Sequence, residues 1–126
     1  MLGIIGAMDQ EVAGIKAHMT GVTVTSRAGM DFYQGQLCGK PTVVVKSGIG
    51  KVNAAVCTQI LADVFRVNAI INTGIAGSLQ AKIDIGDIVL SKDALQHDMD
   101  ATGFGYEPGI IPQMDVSVFP ADEKLI

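Results

Sequence analysis

Short apolar runs bounded by glycines alternate with stretches of helical periodicity along this chain. Residues 2–8 (LGIIGAM) predict a buried strand that runs into a loop, because such a short apolar run is typical of a strand covered on both faces. A helix is predicted over residues 9–19, with Asp9 as its N-cap. The strongest helical pattern covers residues 51–67. Its apolar stripe consists of Val52, Val56, Ile60 and Val64.

The remaining periodic segments predict strands. They lie at residues 22–26, 31–37, 41–46, 69–74 and 85–91. The first two are expected to form a hairpin across Ala28-Gly29, and the fourth to be a central parallel strand. Asp84 and Gly86 supply turn residues before the fifth. Strand, glycine loop, helix and strand in succession indicate an α/β fold with a parallel sheet.

The composition is rich in hydrophobic residues and poor in charged ones, which leaves apolar surface that must be buried. The chain has 126 residues, 48% of them hydrophobic and 17% charged, with a net charge of -4 and a mean hydropathy of +0.38. An acidic chain is not a general nucleic-acid binder. Its apolar stretches are also much shorter than the ~18 to 20 residues of a membrane-spanning helix. We therefore expect a partner chain or a further half of the protein to cover this surface.

The cysteines and the start of the chain indicate a reducing compartment. Cys38 and Cys57 have no CxxC spacing and no neighbouring histidine, so both are predicted to be reduced thiols in or near the core. Met1 is followed by an apolar segment with no basic region and no cleavage site of a secretory signal. The sequence predicts a cytoplasmic protein.

The last residues predict the start of a helix. Pro120 suits a first helical turn, and Asp122 and Glu123 would lie near its positive end. The sequence ends at Ile126 after roughly one turn, whereas isolated helices need about 12 to 15 residues to be even marginally stable. We expect the chain to be a piece of a longer protein.

Three glycine loops follow predicted strands, at residues 6–8, 47–50 and 73–78. Ligands of open α/β sheets bind at the carboxyl ends of the strands, and glycine lets the backbone approach a ligand closely. None of the loops has the spacing of a known phosphate-binding motif. They are therefore either tight turns or parts of one ligand site.

Glu11 lies in the first turn of the first predicted helix, where the helix dipole stabilises a carboxylate. It is either an exposed first-turn acid or a general base that activates water in a site formed by the three loops. The two arginines, Arg27 and Arg66, lie outside the glycine loops. A phosphate co-substrate would favour a guanidinium near the nucleophile, so this arrangement favours water.

Residues 97–112 lose periodicity and become rich in glycine, proline and aromatic side chains, which is typical of a functional loop. Phe104 and Tyr106 are expected either to contact another molecule or to cover the edge of the sheet. The possible metal ligands of this segment are His97, Asp98 and Asp100. One imidazole with two carboxylates in a loop is more typical of turn formation, and no metal site is predicted.

Five motifs in order carry a family resemblance. They are GIIGAMDQEV at 3–12, KSGIGKVNAA at 46–55, INTGIAGSL at 71–79, IGDIVLS at 85–91 and HDMDATGFGYEPGIIP at 97–112. Together they resemble 5′-methylthioadenosine/S-adenosylhomocysteine nucleosidases, which have a nucleoside phosphorylase-like fold. Related phosphorylases replace the GAMxxE start with an arginine-bearing phosphate loop.

The resemblance implies a three-layer α/β/α fold with a mixed, largely parallel central sheet, of which residues 1–126 would be the N-terminal half of a single domain. It also implies hydrolysis of the bond between adenine and the thioribose of an adenine thionucleoside, through an oxocarbenium-like transition state and without a cofactor or metal. The enzyme would act as a homodimer.

The resemblance assigns roles to individual residues. Glu11 would be the catalytic carboxylate that orients and activates water. Substrate-binding positions on the same subunit would be Met8 and Ile49, which line the ribose and alkylthio pocket, and Ile75, Ala76 and Gly77, which lie beneath the nucleoside. Residues reaching the pocket of the partner subunit would be Ala101, Phe104, Tyr106 and Pro112.

The sequence departs from the family pattern in two ways. Ile75 stands where many members have a serine near the water, and no segment matches the family's general acid or its Met-Glu pair for the ribose hydroxyls. General acid help contributes about 10² to 10⁴ in rate, so the 126 residues alone are expected to be nearly inert. Open alternatives are a phosphorylase or an N-glycosidase for another nucleoside such as futalosine, and an inactive dimerising or ligand-binding fragment.

Overall fold

A five-stranded mixed sheet organises the first part of the molecule. The computed structural model describes residues 1–114 and 116–126, which form two units, Met1–Gly77 and Ser78–Ile126. The strands of the first unit are β1 (Leu2–Gly6), β2 (Met19–Arg27), β3 (Met30–Leu37), β4 (Lys40–Lys46) and β5 (Ala69–Asn72), in the spatial order β2-β3-β4-β1-β5. β1 pairs in parallel with β4 and β5, whereas β3 is antiparallel to β2 and β4. Four strands thus run in one direction, which confirms the predicted mixed, largely parallel sheet.

Helices cover both faces of this sheet. The side chains of β1 and β4 alternate between two apolar clusters, as expected of strands buried on both sides. Helix α1 (Asp9–Ala17) packs on one face, in a cluster of Ile4, Val12, Met19 and Val44. Helix α2 (Lys51–Asp63) packs on the other, in a cluster that includes Ile5, Val43, Val45, Cys57 and Leu61. The predicted three-layer α/β/α arrangement is confirmed.

Two glycine turns connect the antiparallel strands. Ala28 and Gly29 have φ of 50° and 74° and join β2 to β3, as predicted. Cys38 and Gly39, with φ of 50° and 75°, make the next turn, which leaves Cys38 exposed. The prediction of a near-core thiol is therefore wrong for Cys38, because its position closes a hairpin. Cys57 is fully buried, as predicted, and burial raises the pKa of its thiol to about 11.

The structure shortens both predicted helices. The N-cap of α1 is Met8, and Asp9 is already helical, which corrects the predicted cap. Helix α1 ends at Ala17 and α2 ends at Asp63. The helical patterns of residues 9–19 and 51–67 both extend past these ends, because apolar residues of the following segments continue the spacing.

The buried face of α2 is also different from the prediction. Val52, Val56 and Val64 are 78%, 40% and 53% exposed, whereas Cys57 and Leu61 are fully buried. The two sets form neighbouring rows with the same four-residue spacing, so the apolar pattern alone cannot tell which row faces the sheet.

Strand β5 lies at the edge of the sheet that the described residues form, where its neighbour is β1. It was predicted to be central and to reach residue 74, but it ends at Asn72. Its apolar side chains, Ile70 and Ile71, have the composition of a central strand, so the sequence does not distinguish the two positions.

The second unit has little regular structure. Strands β6 (Asp93–Leu95) and β7 (Val118–Pro120) form an antiparallel pair, and Thr102–Phe104 forms a 3-10 helix. Pro120 therefore ends a strand, which corrects the predicted helix start. A single turn follows it, in which the Leu125 amide donates to the Asp122 carbonyl at 2.9 Å.

The strand predicted at residues 85–91 is not formed. Ile85 and Ile88 are exposed, so the β-branched pattern there has no sheet face to cover it. The turn before it is present, since the Asp87 amide donates to the Asp84 carbonyl at 3.2 Å. No helix in the described part of the chain is long and apolar enough to cross a membrane.

Replacing Leu61 with alanine is expected to lower the free energy of unfolding by about 2 to 5 kcal/mol, because it removes a fully buried side chain between α2 and the sheet. Urea unfolding of the chain measures this change. Val52→Ala, on the exposed row of the same helix, is the matched control and is expected to stay within about 0.5 kcal/mol of the wild type. Equal losses of unfolding free energy in the two variants would contradict the packing of the Leu61 row against the sheet.

Candidate active site at the ends of the parallel strands

The loops that follow β1, β4 and β5 meet at one edge of the sheet. The Ser47 amide donates to the Gly6 carbonyl at 2.9 Å, which ties the end of β4 to the end of β1. The Thr73 amide donates to the Ile5 carbonyl at 2.9 Å, which ties the end of β5 to β1. The structure thus brings together the three predicted glycine loops.

The Glu11 carboxylate lies between two of these loops. Its Oε2 accepts hydrogen bonds from the amides of Ala7 at 2.7 Å and Met8 at 2.9 Å. Its Oε1 accepts one from the amide of Ile75 at 3.0 Å. One side chain therefore connects the β1–α1 loop with the loop after β5.

The position of Glu11 in α1 explains this geometry. Glu11 is the third residue of the helix, from which a carboxylate can reach back to the amide of the N-cap residue, here Met8. This local contact satisfies helix-terminal amides and would form in an isolated helix cap. The contact with Ile75, 64 residues away along the chain, does not belong to a helix cap. Glu11 therefore holds the loop after β5 in addition to capping its own helix.

Two glycines give the carboxylate its space. A Cβ atom on Gly74 would lie 2.7 Å from Cδ of Glu11, closer than real side chains come. A Cβ atom on Gly6 would lie 2.7 Å from Cγ1 of Val12 and 3.0 Å from Cβ of Glu11. Neither glycine has a positive φ. Gly74 thus leaves space for the Glu11 carboxylate, and Gly6 leaves space for the side chains of Val12 and Glu11.

The backbone amides keep Glu11 ionised. The amide of Ile75, followed by that of Met8, holds the pKa of the Glu11 carboxyl below its usual range. Desolvation opposes this effect, and the Ala7 amide adds a smaller lowering. An ionised carboxylate offers about four acceptor positions, and the amides occupy three of them. The remaining position, on Oε1, can accept a hydrogen bond from a water molecule.

A shallow cavity of about 340 Å³, largely open to solvent, adjoins the β1–α1 loop. Its lining comprises Ala7, Met8, Asp9, Gln10, Lys46, Gly48 and Ile49. Met8 and Ile49 both line it, and their contact with a ribose or alkylthio group stays a prediction. Lys46 and Asp9 form an ion pair at 2.8 Å in its wall.

The loop after β5 contributes its backbone. The side chain of Ile75 is 84% exposed, and the contact with Glu11 uses its amide, which a serine at this position would also supply. Ala76 and Gly77 follow it and are exposed. A side-chain interaction of these three residues with substrate stays a prediction.

The loop residues predicted to reach a partner subunit belong to the second unit. Ala101 is 7% exposed, and its carbonyl accepts from the amide of Phe104 at 2.9 Å. Phe104 is 86% exposed and Tyr106 is 37% exposed, while Pro112 is half-buried. The two aromatic side chains are accessible to another molecule, whereas Ala101 helps to shape the loop.

The described residues, which omit position 115, contain no group of three His, Cys, Asp or Glu side chains that could hold a metal ion. Asp100 instead accepts from the amide and the hydroxyl of Thr102, at 2.9 and 2.7 Å, and these bonds lower the pKa of its carboxyl. Arg27 donates to the Ser26 carbonyl, and Arg66 precedes the start of β5. Neither arginine lines the cavity or contacts Glu11.

Sequence reasoning missed the ion pair between Asp9 and Lys46. These residues are 37 positions apart, but Lys46 ends β4 and Asp9 opens the helix that follows β1. Gly6 and Lys46 are register partners in the parallel β1–β4 pair. The parallel pairing of β1 and β4 was therefore the signal that could have placed the two charges together.

The layers, the strand directions and the position of Glu11 define an α/β protein with a candidate ligand site at the carboxyl ends of its parallel strands. A family model described as "Phosphorylase superfamily" matches residues 1–126. The chain belongs to this superfamily.

Three matches are informative. The chain is 49% identical over 125 residues to a 5′-methylthioadenosine/S-adenosylhomocysteine nucleosidase of Psychromonas ingrahamii, a match that covers 99% of the chain and 54% of that protein. It is similar to the crystal structure of such a nucleosidase from Colwellia psychrerythraea in complex with adenine (48% identity, TM-score 0.94, 98% of this chain and 51% of that one). It is also similar to the structure of the futalosine hydrolase of Helicobacter pylori (31% identity, TM-score 0.91, 98% of this chain and 53% of that one). The chain spans about half the length of the curated relatives it matches.

Gly74→Ala is expected to displace the Glu11 carboxylate and to weaken its bond to the Ile75 amide, at a cost of about 1 to 3 kcal/mol in stability. The pKa of Glu11, measured by NMR titration of its carboxyl carbon, is expected to rise toward its usual range. Because the pKa of Glu11 is lower in the folded chain than in the unfolded chain, the unfolded chain binds a proton first as the pH falls. The stability that Glu11 contributes at neutral pH is therefore lost at acidic pH, as the pH falls through the lowered pKa. This pH dependence is expected to weaken in the variant.

Gly77→Ala is the matched control, because a Cβ atom at position 77 would meet nothing within 4 Å. An unchanged pKa of Glu11 in the Gly74→Ala variant would contradict the close packing of the carboxylate against the loop after β5.

Proposed function

We propose that the full-length protein hydrolyses the N-glycosidic bond of 5′-methylthioadenosine and S-adenosylhomocysteine, releasing adenine and the thioribose product. The observation that carries this proposal is the Glu11 carboxylate, fixed by three backbone amides at the strand ends with one acceptor position free. The matches to nucleosidases at nearly half identity support the choice of substrate. No cofactor or metal enters the reaction that we propose.

The bond between the ribose carbon C1′ and the adenine nitrogen N9 breaks with the electron pair going to adenine. The oxocarbenium-like ribose that results is attacked at C1′ by a water molecule that donates a hydrogen bond to Glu11 and points its lone pair at C1′. Once the new C–O bond forms, the water oxygen is strongly acidic, so even a weakly basic carboxylate accepts its proton and returns it to solvent. Adenine gains one proton as it leaves.

The negative charge of Glu11 has a second effect on this reaction. Positive charge develops on the ribose ring in the transition state and is absent in the ground state. A fixed carboxylate stabilises that charge without reorganising, because its orientation is already set by the amides of Ala7, Met8 and Ile75. Water orientation and charge stabilisation therefore use the same group in the same position.

Water is favoured over phosphate as the nucleophile. An ionised carboxylate with its pKa held low would repel a phosphate anion, and neither arginine contacts Glu11 or lines the adjoining cavity. Lys46 is a cation in the cavity wall, but the Asp9 carboxylate lies 2.8 Å from its ammonium and would repel a free phosphate anion. These charges support hydrolysis.

The apolar part of the cavity fits a thioether substituent. Met8 and Ile49 form this part, and both follow strand ends beside the loop that holds Glu11. We propose that they contact the ribose and the 5′-alkylthio group, and that Ile75, Ala76 and Gly77 lie beneath the nucleoside. The general acid for adenine and the groups for the ribose hydroxyls match no residue of these 126.

A second candidate is the hydrolysis of futalosine. The likeness to the Helicobacter pylori futalosine hydrolase favours it, with 31% identity and a TM-score of 0.91. A fixed carboxylate and a water molecule would perform the same bond cleavage on either nucleoside. Comparing kcat/KM for methylthioadenosine, S-adenosylhomocysteine and futalosine separates the two candidates.

We also propose that the protein is a cytoplasmic homodimer in which the loop of residues 97–112 reaches the partner's site. The exposure of Phe104 and Tyr106 supports this arrangement, since aromatic side chains in an irregular loop usually contact something. In a two-fold dimer each subunit would supply this loop to the other. Ala101 and Pro112, of which Pro112 is half-buried, would complete the part of this loop that closes the partner's pocket.

Glu11→Gln in the full-length protein is expected to lower kcat by about 10² or more while the Kd for the nucleoside stays within a few-fold. The amide keeps the shape of the side chain but loses the charge and one acceptor oxygen. Adenine release from methylthioadenosine measures turnover, and calorimetry measures binding. Glu123→Gln, a change of the same chemistry in the second unit, is the control and is expected to leave both unchanged.

Weaker binding with unchanged turnover would make Glu11 a structural acid. In the wild type, added phosphate is expected to leave the rate unchanged. Formation of a ribose-1-phosphate product would overturn the hydrolase assignment in favour of a phosphorylase.

Replacing Phe104 and Tyr106 together with alanine is expected to raise KM for methylthioadenosine more than KM for adenosine, because the lost contacts would surround the alkylthio group. Mixing this variant with the Glu11→Gln protein is expected to restore activity in part, since one site of each mixed dimer would be intact. Sedimentation at micromolar concentration gives the oligomeric state. A monomer, or equal losses for both substrates, would contradict the crossing loop.

A further inference from the structure

The cavity beside the β1–α1 loop has two chemically different sides. Met8 and Ile49 are apolar, whereas Asp9 and Lys46 carry opposite charges and are paired at 2.8 Å. The charged side chains are 67% and 47% exposed, so they remain accessible from the cavity. A ligand that fits both sides would have an apolar stem and an end with charges of both signs.

Each member of the ion pair can bind a further partner. Lys46 has three ammonium donors and gives one of them to Asp9, through Oδ2. Asp9 has a second carboxylate oxygen, Oδ1, that this contact does not use. A positive and a negative group of one ligand could therefore add to the pair without breaking it.

We propose that the ion pair of Asp9 and Lys46 is the binding site for the amino-acid end of S-adenosylhomocysteine, with Lys46 holding the ligand's carboxylate and Asp9 its ammonium group. This inference rests on the proposed function and names the residues that distinguish its two substrates. Methylthioadenosine ends in a methyl group and would use Met8 and Ile49 alone.

The four charges would alternate in sign around a ring, so each would have opposite charges as neighbours. Neither a free anion nor a free cation forms such a ring, because each would face one repulsive partner. The pair thus favours a zwitterion over a singly charged tail of the same length. The adjacent Ala7 and Met8 amides hold Glu11, which places the zwitterion site beside the reacting centre.

The ion pair could instead act only by holding the β1–α1 loop in place for Glu11. The two roles differ in their consequences for the two substrates. Loss of a positioning contact would change the turnover of every substrate equally, since Glu11 serves all of them. Loss of a zwitterion site would change the KM of S-adenosylhomocysteine alone.

The test measures kcat and KM of the full-length wild-type protein and of Lys46→Met and Asp9→Asn for three substrates. These are methylthioadenosine, S-adenosylhomocysteine and 5′-butylthioadenosine, whose tail has a similar length without charge. KM for S-adenosylhomocysteine is expected to rise about three- to tenfold, the scale of an exposed charged hydrogen bond. KM for the other two, and kcat for all three, are expected to change less than twofold.

Lys40→Met, at the opposite end of β4, is the matched control and is expected to leave all three substrates unchanged. Lys46→Arg keeps the positive charge and is expected to retain most of the preference for S-adenosylhomocysteine. In the wild type, raising the salt concentration is expected to raise KM for S-adenosylhomocysteine but not for butylthioadenosine. This last comparison needs no variant and stands even if a substitution prevents folding.

Equal effects on all three substrates would overturn the proposal in favour of a positioning role, and no effect on S-adenosylhomocysteine would overturn it outright. A wild-type protein that hydrolyses none of the three would instead contradict the proposed function. The two failures are therefore distinguishable.

Discussion

The structure of the candidate site depends on one carboxylate that accepts hydrogen bonds from three backbone amides. Glu11 joins the loop after β1, through Ala7 and Met8, to the loop after β5, through Ile75. Parallel strands bring those loops to one edge, but strand pairing alone leaves the loop conformations open. The carboxylate fixes them, and the space it needs accounts for glycine at position 74. The same bonds that shape the site keep the carboxylate ionised, so structure and reactivity have a common cause.

Much of this arrangement follows from patterns within short segments. Apolar runs bounded by glycines predicted β1 and β4, and strand, loop and helix in succession predicted a parallel sheet. The pairing of β1 with β4, which places Gly6 and Lys46 side by side, was not predicted, because such a pattern does not specify which strands are neighbours in the sheet. An acidic residue in the first turn of the first predicted helix placed Glu11 near the first loop. The predicted features are local, or follow from the short right-handed connections of α/β units, and for that reason the sequence carries them.

The features that were predicted wrongly, or not predicted at all, depend on contacts between distant segments. Two rows of apolar residues on α2 have equal spacing, and the sheet decides that Leu61 is buried and Val52 is exposed. Pro120 suits a helix start as well as the end of a strand, and pairing of β7 with β6 selects the strand. Ile75 acts through its amide, which every residue type but proline has, so its identity holds no signal for the contact with Glu11.

The start of α1 explains why a carboxylate and a phosphate site exclude each other here. Unpaired amides at a helix N-terminus following a parallel strand are a common binding site for anions, phosphate above all. In this chain Glu11 occupies the amides of Ala7 and Met8 with its own negative charge, so an external anion at this position would meet electrostatic repulsion. Neutral water meets no such repulsion and can bind at the open position of Oε1. The choice of nucleophile that we propose thus follows from which anion the helix N-terminus already holds.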